Sequence, residues 1–561
     1  MSALPTTATH EPEAPIISAV KSNASAENRV HGLKLAILLG SLTLVTFLSL
    51  LDTSIIGTAI PHITSEFHSL PDVGWYVGAY TLGAATLQPL SGKLYAYFPT
   101  KAVFMGFVFF FELGSLICGV AQSSTMLIIG RAVAGMGVSG IFNGAITVLS
   151  AAVGNEKSPL YFGIVLGTSQ MGIVCGPLIG GALTEHASWR WCFYLNLPAG
   201  GLAVLILAFI HFPELAQKKT FSMALVRKVV PELDLIGFLL FVPPSVMFLL
   251  ALQFGSGNTH AWNSATVVGL LVGSGVLAVI FILWERRMGD RAMLPGSLVK
   301  QRMVWVSCTY GMCNGCCMMI ASNWMPTFFQ AVKGEGPTLS GVHILPSILS
   351  QLSAVIVSGA LISKLGYYLP WALGGGIIMA IGNGLVSTFT ATTSVGQWIG
   401  YQIVVGAGRG AGLQAPLVAV QNAVKPSQVP IATAFLVFLQ NFGVSIGIVL
   451  SNVAFTQTLT QAIPLYAPSV SSQAALDAGA GAGAVRDLVR GHEDELSGVL
   501  RAYSEGLRNI FYFLVGMSCI AVVLSLGMGW VDVRKKKDST KSTGDNEAQE
   551  KKVEEKSLNE A

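Results

Sequence analysis

Charge is what this chain has least of. Of its 561 residues, 29 are Asp or Glu and 33 are Lys or Arg, 11% in all, against about 25% in a soluble protein. With 52% hydrophobic residues and a mean hydropathy of +0.62, it could not cover a water-facing surface, which excludes a soluble enzyme or binding module. Equipment for bond chemistry is missing too. There is no nucleotide-binding glycine loop, no metal-ligand cluster and no catalytic triad pattern. An enzyme reading is therefore disfavoured, no metal or other cofactor is expected, and any work has to draw on a gradient rather than ATP. The net charge of +4 reflects topology rather than a nucleic-acid partner. The first 28 residues lack the apolar core of a signal peptide, so the first apolar run is expected to act as an uncleaved insertion signal.

What the chain does have is long apolar runs. A spanning helix needs about 20 mostly apolar residues. Such runs fall near 33–57, 73–95, 102–121, 126–151, 160–183, 194–212, 233–254, 264–284, 303–328, 338–362, 370–390, 397–420, 429–456 and 509–531, about fourteen in all. The chain reads as an all-α polytopic membrane protein. An even count places both termini on one side. Placing that side in the cytoplasm puts about 21 Lys and Arg in or beside cytoplasmic connections and only about six outside. Lys218, Lys219, Arg227, Lys228, Arg286, Arg287, Arg291 and the run Arg534 to Lys537 are among the former. Asn23 heads a sequon, but on this topology it faces the cytoplasm and stays unglycosylated.

Charges inside the apolar runs are costly, about 2.5–3.5 kcal/mol each even on lenient scales, and so point to function. Asp52 lies near the end of the first run and Arg131 near the start of the fourth. Both are about 7 Å from the same end, at 1.5 Å per residue. Equal depth allows them to pair, and protonating Asp52 would then release a contact between helices. Glu112, in the middle of the third run, is a second acidic candidate and is expected to meet Arg131 or helix-face hydroxyls. Arg409, between Gly408 and Gly410, lies about 18 Å into the twelfth run with no acidic residue in the apolar core of runs 9 to 14. A backbone carbonyl, water, a group from the other half or a substrate is left as its partner. Most of the eight cysteines lie in apolar runs, and Cys313-x-x-Cys316 reads as packing rather than metal ligation because no His is near.

An internal repeat is visible in Gly92-Lys93-Leu94 and Gly359-Ala360-Leu361, which share Gly-x-Leu after the second and tenth runs. This maps runs 1–6 onto 9–14 and leaves 7 and 8 as an inserted hairpin. The expected organisation is a cytoplasmic, disordered 1–32; a six-helix half over 33–212; linkers and the inserted pair over 213–302; a second six-helix half over 303–531; and a disordered tail over 532–561. An external loop, 457–508, places Leu496, Val499, Leu500, Tyr503 and Leu507 at helical spacing. It is read either as a spacer or as an amphipathic helix lying on the membrane or capping the mouth.

Four motifs resemble the major facilitator superfamily, specifically its fourteen-span drug:proton antiporters and, within those, fungal pumps for toxins and secondary metabolites. They are Leu51 to Pro61 (LDTSIIGTAIP); Gly130-Arg131 through Gly137; the fifth-run series Gly167, Gly172, Gly176, Pro177, Gly180 and Gly181; and Trp189-Arg190-Trp191 with Phe193, Asn196 and Pro198. The likeness covers about 33–531. One departure stands out. After Gly92 and Leu94, the family's Asp, Arg, Gly and first closing Arg positions hold Ala96, Tyr97, Pro99 and Thr100, so the charge latch that the family builds there is in doubt.

The resemblance implies a major facilitator fold of two six-helix halves plus the inserted pair. It also implies a proton-coupled exporter of small amphipathic or aromatic compounds that works by alternating access, with Asp52 and Arg131 in proton coupling. Glu112 joins them as a coupling candidate on its buried acidic residue type, although its helix is usually peripheral in this superfamily. The glycine series in the fifth run is similar to the antiporter motif of exporters. By the superfamily pattern, Arg409, Asn143, Tyr310, Asn314, Trp324, Gln414, Phe438 and Asn441 are candidate cavity residues. Substrate, protons and lipid are the expected partners, and the functional unit is expected to be a monomer. The plasma membrane is the expected location, with vacuolar or vesicle membranes also open. A carrier for amino acids or iron chelates, or a non-transporting sensor, are the alternatives.

Overall fold

The computed structural model describes residues 32–67, 72–153, 157–210, 212–215, 229–256, 261–479 and 481–533. Expectations for 1–31 with the Asn23 sequon, for Lys218, Lys219, Arg227 and Lys228, and for 534–561 lie outside the described residues. The rest is almost wholly helical. In hydrocarbon each backbone N–H and C=O must be satisfied within its own segment, and uninterrupted apolar runs therefore become helices. The first six are α1 Leu33–Phe67, α2 Val73–Tyr97, α3 Thr100–Gly119, α4 Ser124–Val153, α5 Ser158–His186 and α6 Asn196–Phe209. A pair follows, α7 Leu235–Ser256 and α8 Ala265–Met288. The second set is α9 Arg302–Thr327, α10 Leu345–Leu365, α11 Leu369–Val386, α12 Val395–Gly412 with its continuation Ala415–Ala423, α13 Val429–Tyr466 and α14 Leu496–Ser525.

Among the described residues, 13 helices are long and apolar enough to cross a membrane. The labelled helix outside that group is α2. Its 25 residues are diluted by Gly, Tyr, Thr and Gln, a composition suited to a helix with protein rather than lipid on its flanks. Two sets of neighbours repeat. α1 packs on α5 and α6, while α2 and α3 pack on α4; α9 packs on α13 and α14, while α10 and α11 pack on α12. Across the sets, α2 meets α13 and α5 meets α10.

Residues at one end of the bundle bring the two sets together. We call it the near end, where α2 and α10 finish and α5 and α13 begin. A Cβ on Gly92 would stand 2.7 Å from Ala434 Cβ and 2.9 Å from Ile431 Cα, and one on Gly359 would run into the Pro159 carbonyl. A single buried apolar cluster here joins Tyr95, Phe104, Ile146 and Phe162 of the first set to Leu417, Val420, Val429 and Phe435 of the second. The other clusters divide. Ile55, Ile63, Leu127, Trp189 and Phe193 belong to the first set alone, and Phe328, Trp398, Phe455 and Tyr503 to the second alone.

The inserted pair is fixed to this frame by aromatics and by one lysine. Phe241 and Phe248 of α7 meet Phe438 and Phe442 of α13, each at 5.1 Å, and Trp75 of α2 meets Phe254 at 6.0 Å. At the near end Lys93, 1% exposed, donates through Nζ to the Glu232 carbonyl at 2.7 Å and the Arg291 carbonyl at 2.8 Å. The Gly-x-Leu segment thus clasps the linkers flanking the hairpin. Thr100 and Lys101 hold the end of α6 through Glu214 and the Ala208 and Ile210 carbonyls.

The expectation of a separate amphipathic helix within 457–508 is corrected. Residues up to Tyr466 extend α13, and the chain from Leu496 is already α14. The apolar stripe faces protein: Val499, Tyr503 and Leu507 are buried in the core of the second set. Tyr503 Oη donates to the Ala475 carbonyl at 2.7 Å and the Gly479 carbonyl at 2.9 Å. Two short helices, Ser472–Ala478 and Ala482–Asp487, complete this cap.

Candidate functional site

Five helices of the first set bring polar side chains to one buried point. Asp52 on α1 and Arg131 on α4 form an ion pair, Oδ2 to Nη1 at 2.6 Å, with both side chains 1% exposed. Arg131 Nε donates to the Tyr76 carbonyl at 2.9 Å, and the guanidinium lies 4.2 Å from the Tyr80 ring centre, a contact worth ~1–2 kcal/mol when desolvated. Tyr80 Oη in turn donates to the Ser49 carbonyl of α1 at 3.0 Å. Such a pair is held by geometry, because removing one partner strands the other charge at a cost of about 3–5 kcal/mol.

The second carboxylate oxygen of Asp52 is held from α6. Asn196 Nδ2 donates to Asp52 Oδ1 at 3.2 Å and to Ser115 Oγ of α3 at 3.1 Å. Asn196 is 1% exposed, and its amide oxygen has no hydrogen-bond partner. In the sequence this residue stands out only as part of the motif that runs from Trp189 to Pro198. An amide opening an otherwise apolar helix (Asn196 to Phe209) was the available signal, since polar groups at such depth hydrogen-bond across helices.

Glu112 stands near this network but outside it. It pairs neither with Arg131 nor with a hydroxyl; both carboxyl oxygens are buried without hydrogen-bond partners. The carboxyl lies against Gly200, where any Cβ would collide with Oε1. Gly200 is one turn beyond Asn196, so a single face of α6 carries the amide that reaches Asp52 and the gap that admits Glu112.

The glycines of α5 set the approach of α1. Cβ atoms at Gly172, Gly176 and Gly180 would run into Phe47 and Leu51, into Ser54, and into Thr58 and Ile55 respectively. Ser54 Oγ donates to the Gly172 carbonyl at 3.2 Å. Gly167 faces Leu352 of α10, while Gly181 faces nothing within 4 Å and Pro177 is exposed. The series therefore splits into three α1 contacts, one contact with the other half, and two positions free of close neighbours.

Register between the halves follows from matching glycine contacts. Gly135 meets the Tyr80 carbonyl as Gly406 meets the Ser347 carbonyl; Gly137 meets Phe111 N as Gly408 meets Met379 N; Gly172 and Gly176 meet α1 as Gly443 and Gly447 meet α9. Carried through, Gln402 stands in the place of Arg131, Cys317 of Asp52, Asn383 of Ser115 and Ser518 of Asn196. The contacts agree. Gln402 Nε2 donates to the His343 carbonyl at 2.9 Å as Arg131 does to Tyr76. Asn383 Nδ2 donates to Ser518 Oγ at 3.1 Å, and Ser518 Oγ lies 3.5 Å from Cys317 Sγ. The second half keeps the small polar contacts and has neither charge. Arg409 lies seven residues past Gln402, two turns along the same face, 4% exposed, with Nε and Nη2 unpartnered.

The other candidate cavity residues are mostly engaged in packing. Tyr310 Oη donates to the Ala372 carbonyl at 3.0 Å, and Asn314 Nδ2 to the Arg409 carbonyl at 3.5 Å. Gln414 Nε2 donates to the Val355 carbonyl at 2.8 Å. Its register counterpart Asn143 lies at the matching crossing, donating to the Pro430 carbonyl at 3.2 Å when its amide satisfies both sides. Tyr310, Asn314, Gln414 and Asn143 are at most 1% exposed. Trp324 packs tilted against Phe455 at 4.6 Å and donates to Ser451 Oγ at 3.0 Å; Phe438 faces α7; and Asn441 is partly accessible on α13. Among the described residues no cluster of three or more His, Cys, Asp or Glu could hold a metal.

At the far end Glu66 takes Trp189 Nε1 at 2.7 Å and both Arg190 terminal nitrogens at 3.1 and 2.9 Å. These bonds hold its carboxyl below the usual carboxylate value, the Arg190 hydrogen bond first and that of Trp189 next. The motif preceding α6 thereby fastens α1, and with it Asp52, to the segment that carries Asn196.

Comparison with known proteins agrees with this architecture. The Major Facilitator Superfamily description matches residues 42–448. The chain is 52% identical over 532 residues to the MFS-type transporter calB of Penicillium decumbens, with 94% of each chain covered. It is 47% identical over 530 residues to the efflux pump mlcE of Penicillium citrinum, covering 93% of this chain and 94% of that one. The human organic anion transporter MFSD10 (TETRAN) superposes with a TM-score of 0.58 at 11% identity, covering 88% of this chain and 100% of that one, a likeness of fold. With these relatives and a buried ion pair in a helical bundle, the chain belongs to the Major Facilitator Superfamily, an integral membrane transporter and not an enzyme.

Proposed function

We propose that this chain is a proton-coupled exporter of small amphipathic or aromatic compounds, toxins or secondary metabolites among them, working as a monomer by alternating access. The observation that carries the reading is the Asp52–Arg131 pair: two charges buried at one point of the first half, with uncharged Cys317 and Gln402 in register in the second. A proton taken by Asp52 removes the charge that holds Arg131, so α1 and α4 gain a proton-dependent contact; this is a reason to keep an ion pair at such depth. The relative named an efflux pump supports export.

On this reading all fourteen labelled helices cross the membrane, α2 included. The two sets are the six-helix halves 33–212 and 303–531, with 213–302 as linkers and inserted pair. The near end faces the cytoplasm, following the Lys and Arg distribution. Its shared apolar core then makes this the outward-facing arrangement, closed to the cytoplasm. Arg409, with unpartnered nitrogens, and the partly accessible Trp324 and Asn441 are the side chains best placed to meet cargo. The plasma membrane is the site that best fits export.

The test is efflux of fluorescent and toxic aromatic compounds from energised cells expressing wild type or Asp52→Asn, with and without a proton uncoupler. Loss of efflux in both treatments supports the reading. Efflux that persists in both removes proton coupling, and accumulation in place of efflux reverses the direction.

A further inference from the structure

We propose that Asn196 is the positioning residue of the coupling carboxylate, an amide that serves Asp52 in both of its protonation states. The proposal rests on the reading of Asp52 as the group that carries the proton. With Asp52 ionised, its oxygens can only accept, and Asn196 Nδ2 donates to Oδ1 at 3.2 Å while Arg131 Nη1 donates to Oδ2 at 2.6 Å. A protonated Asp52 presents an O–H that needs an acceptor. The donor that now faces it would be opposed hydrogen to hydrogen.

The needed acceptor is already at the site. Asn196 Oδ1 is buried and has no partner, a costly condition in a native core that calls for an explanation. Rotating the amide about its last torsion exchanges oxygen and nitrogen. Oδ1 then accepts from the Asp52 O–H, and Ser115 Oγ, a hydroxyl that donates as readily as it accepts, turns its hydrogen to suit. The oxygen without a partner in one state becomes the acceptor in the other, and the amide N–H groups then take the unpartnered position.

Every other group around the amide is unsuited to this role. Arg131 on α4 donates only. Tyr80 on α2 is committed to the Ser49 carbonyl, and Tyr76 contributes only its backbone carbonyl to the pair. Cys118 on α3 is turned to the Leu127 carbonyl, and Cys192, in the turn leading into α6, lies against Thr184. Glu112 is the one other acid on the neighbouring faces and reaches none of these atoms by hydrogen bond. Its slot against Gly200 keeps a second carboxyl one helical turn from the amide.

The experiment compares wild type with Asn196→Leu, near in size and without hydrogen bonding, and with Asn196→Gln, which restores an amide. Proton-driven efflux and downhill substrate exchange are each followed from pH 5 to 8 in membrane vesicles, with Asp52→Asn run alongside. Asn196→Leu loses a bond in each state, but the one to the ionised form is charge-assisted and about twice as strong as the neutral one. The pH of half-maximal proton-driven efflux is therefore expected to move upward by the difference, about one unit. Exchange is retained, and Asn196→Gln recovers part of the shift. A uniform fall in both activities with an unmoved pH midpoint would assign Asn196 to packing and overturn the proposal. Should Asp52→Asn keep wild-type pH-driven efflux, the coupling reading itself fails, and that result is separable because it does not involve position 196.

Discussion

Two alanine substitutions five residues apart in α5 should have opposite effects. In Gly176→Ala the new Cβ meets Ser54 Oγ and lies 3.0 Å from Ile55 N, within the α1 backbone. A backbone cannot rotate out of the way, so α1 and α5 must part. Overpacking of this kind costs about 1–3 kcal/mol, and the bond from Ser54 Oγ to the Gly172 carbonyl, 3.2 Å, is strained with it for about another 1 kcal/mol. In Gly181→Ala the Cβ meets nothing within 4 Å, and the helix gains up to about 1 kcal/mol from replacing glycine. The two variants should differ by roughly 2–5 kcal/mol, the sum of these opposing effects. Thermal unfolding of purified protein, followed by tryptophan fluorescence, should place Gly176→Ala several degrees below wild type and Gly181→Ala at or above it, with efflux lost in the first and kept in the second. Equal midpoints for the two variants would refute the division of the glycine series into contact and free positions.

Gly92→Ala should weaken the near-end closure, since its Cβ would stand 2.7 Å from Ala434 Cβ; at about 1–3 kcal/mol a single cysteine placed beside Pro430 should label about fivefold or more faster with a thiol reagent. Lys93→Met keeps the side-chain volume and removes both carbonyl contacts to the hairpin linkers, for an expected loss of about 2–4 kcal/mol. Faster proteolysis on both sides of the inserted pair and a lower thermal midpoint would record it, and an unchanged cleavage rate would count against the clasp. The Glu66 carboxyl is held below its ordinary value of 4.5 by Arg190 and Trp189. Its contribution to the far-end clasp is therefore fully present above pH 4.5 and lost as the pH falls through the lower folded-state value. Wild-type and Glu66→Gln stability curves should converge only in that acid range, and convergence near pH 6 would contradict the assignment.

The helices and the depth of the first-half charges could be read directly from the sequence, because apolar runs and isolated charges are one-dimensional signals. Equal depths for Asp52 and Arg131 follow from residue counting alone, and their contact needs only that α1 and α4 be neighbours. What counting misses is rotation about each helix axis. Tyr310, Asn314, Asn143 and Gln414 have cavity-like chemistry but point into helix crossings, and Phe438 turns to the inserted pair. The repeat pairs the twelfth run with the fourth without fixing their register, and only the contacts of Gly406 and Gly408 put Gln402 opposite Arg131. The apolar runs stop short of the ends of α13 and α14, which continue because Leu459, Ile463, Val499 and Tyr503 pack into a folded cap while Gln461 and Arg501 stay exposed. Asn196 was visible as a letter in a motif, and its role emerged only when Asp52, Ser115 and Gly200 came together around it.

Proton coupling through Asp52 is tested most directly in vesicles whose cytoplasmic face is outward and whose lumen is two pH units more acidic than the medium. Each proton exchanged per cargo molecule multiplies the sustainable gradient by ten per pH unit, so a single carboxyl cycling once supports about a 100-fold accumulation. Wild type is expected to accumulate a neutral fluorescent aromatic cargo toward that limit and to lose it on adding an uncoupler, while Asp52→Asn exchanges the cargo but comes to rest at equal concentrations. An Asp52→Asn protein that still built the gradient would show that the proton travels by another group.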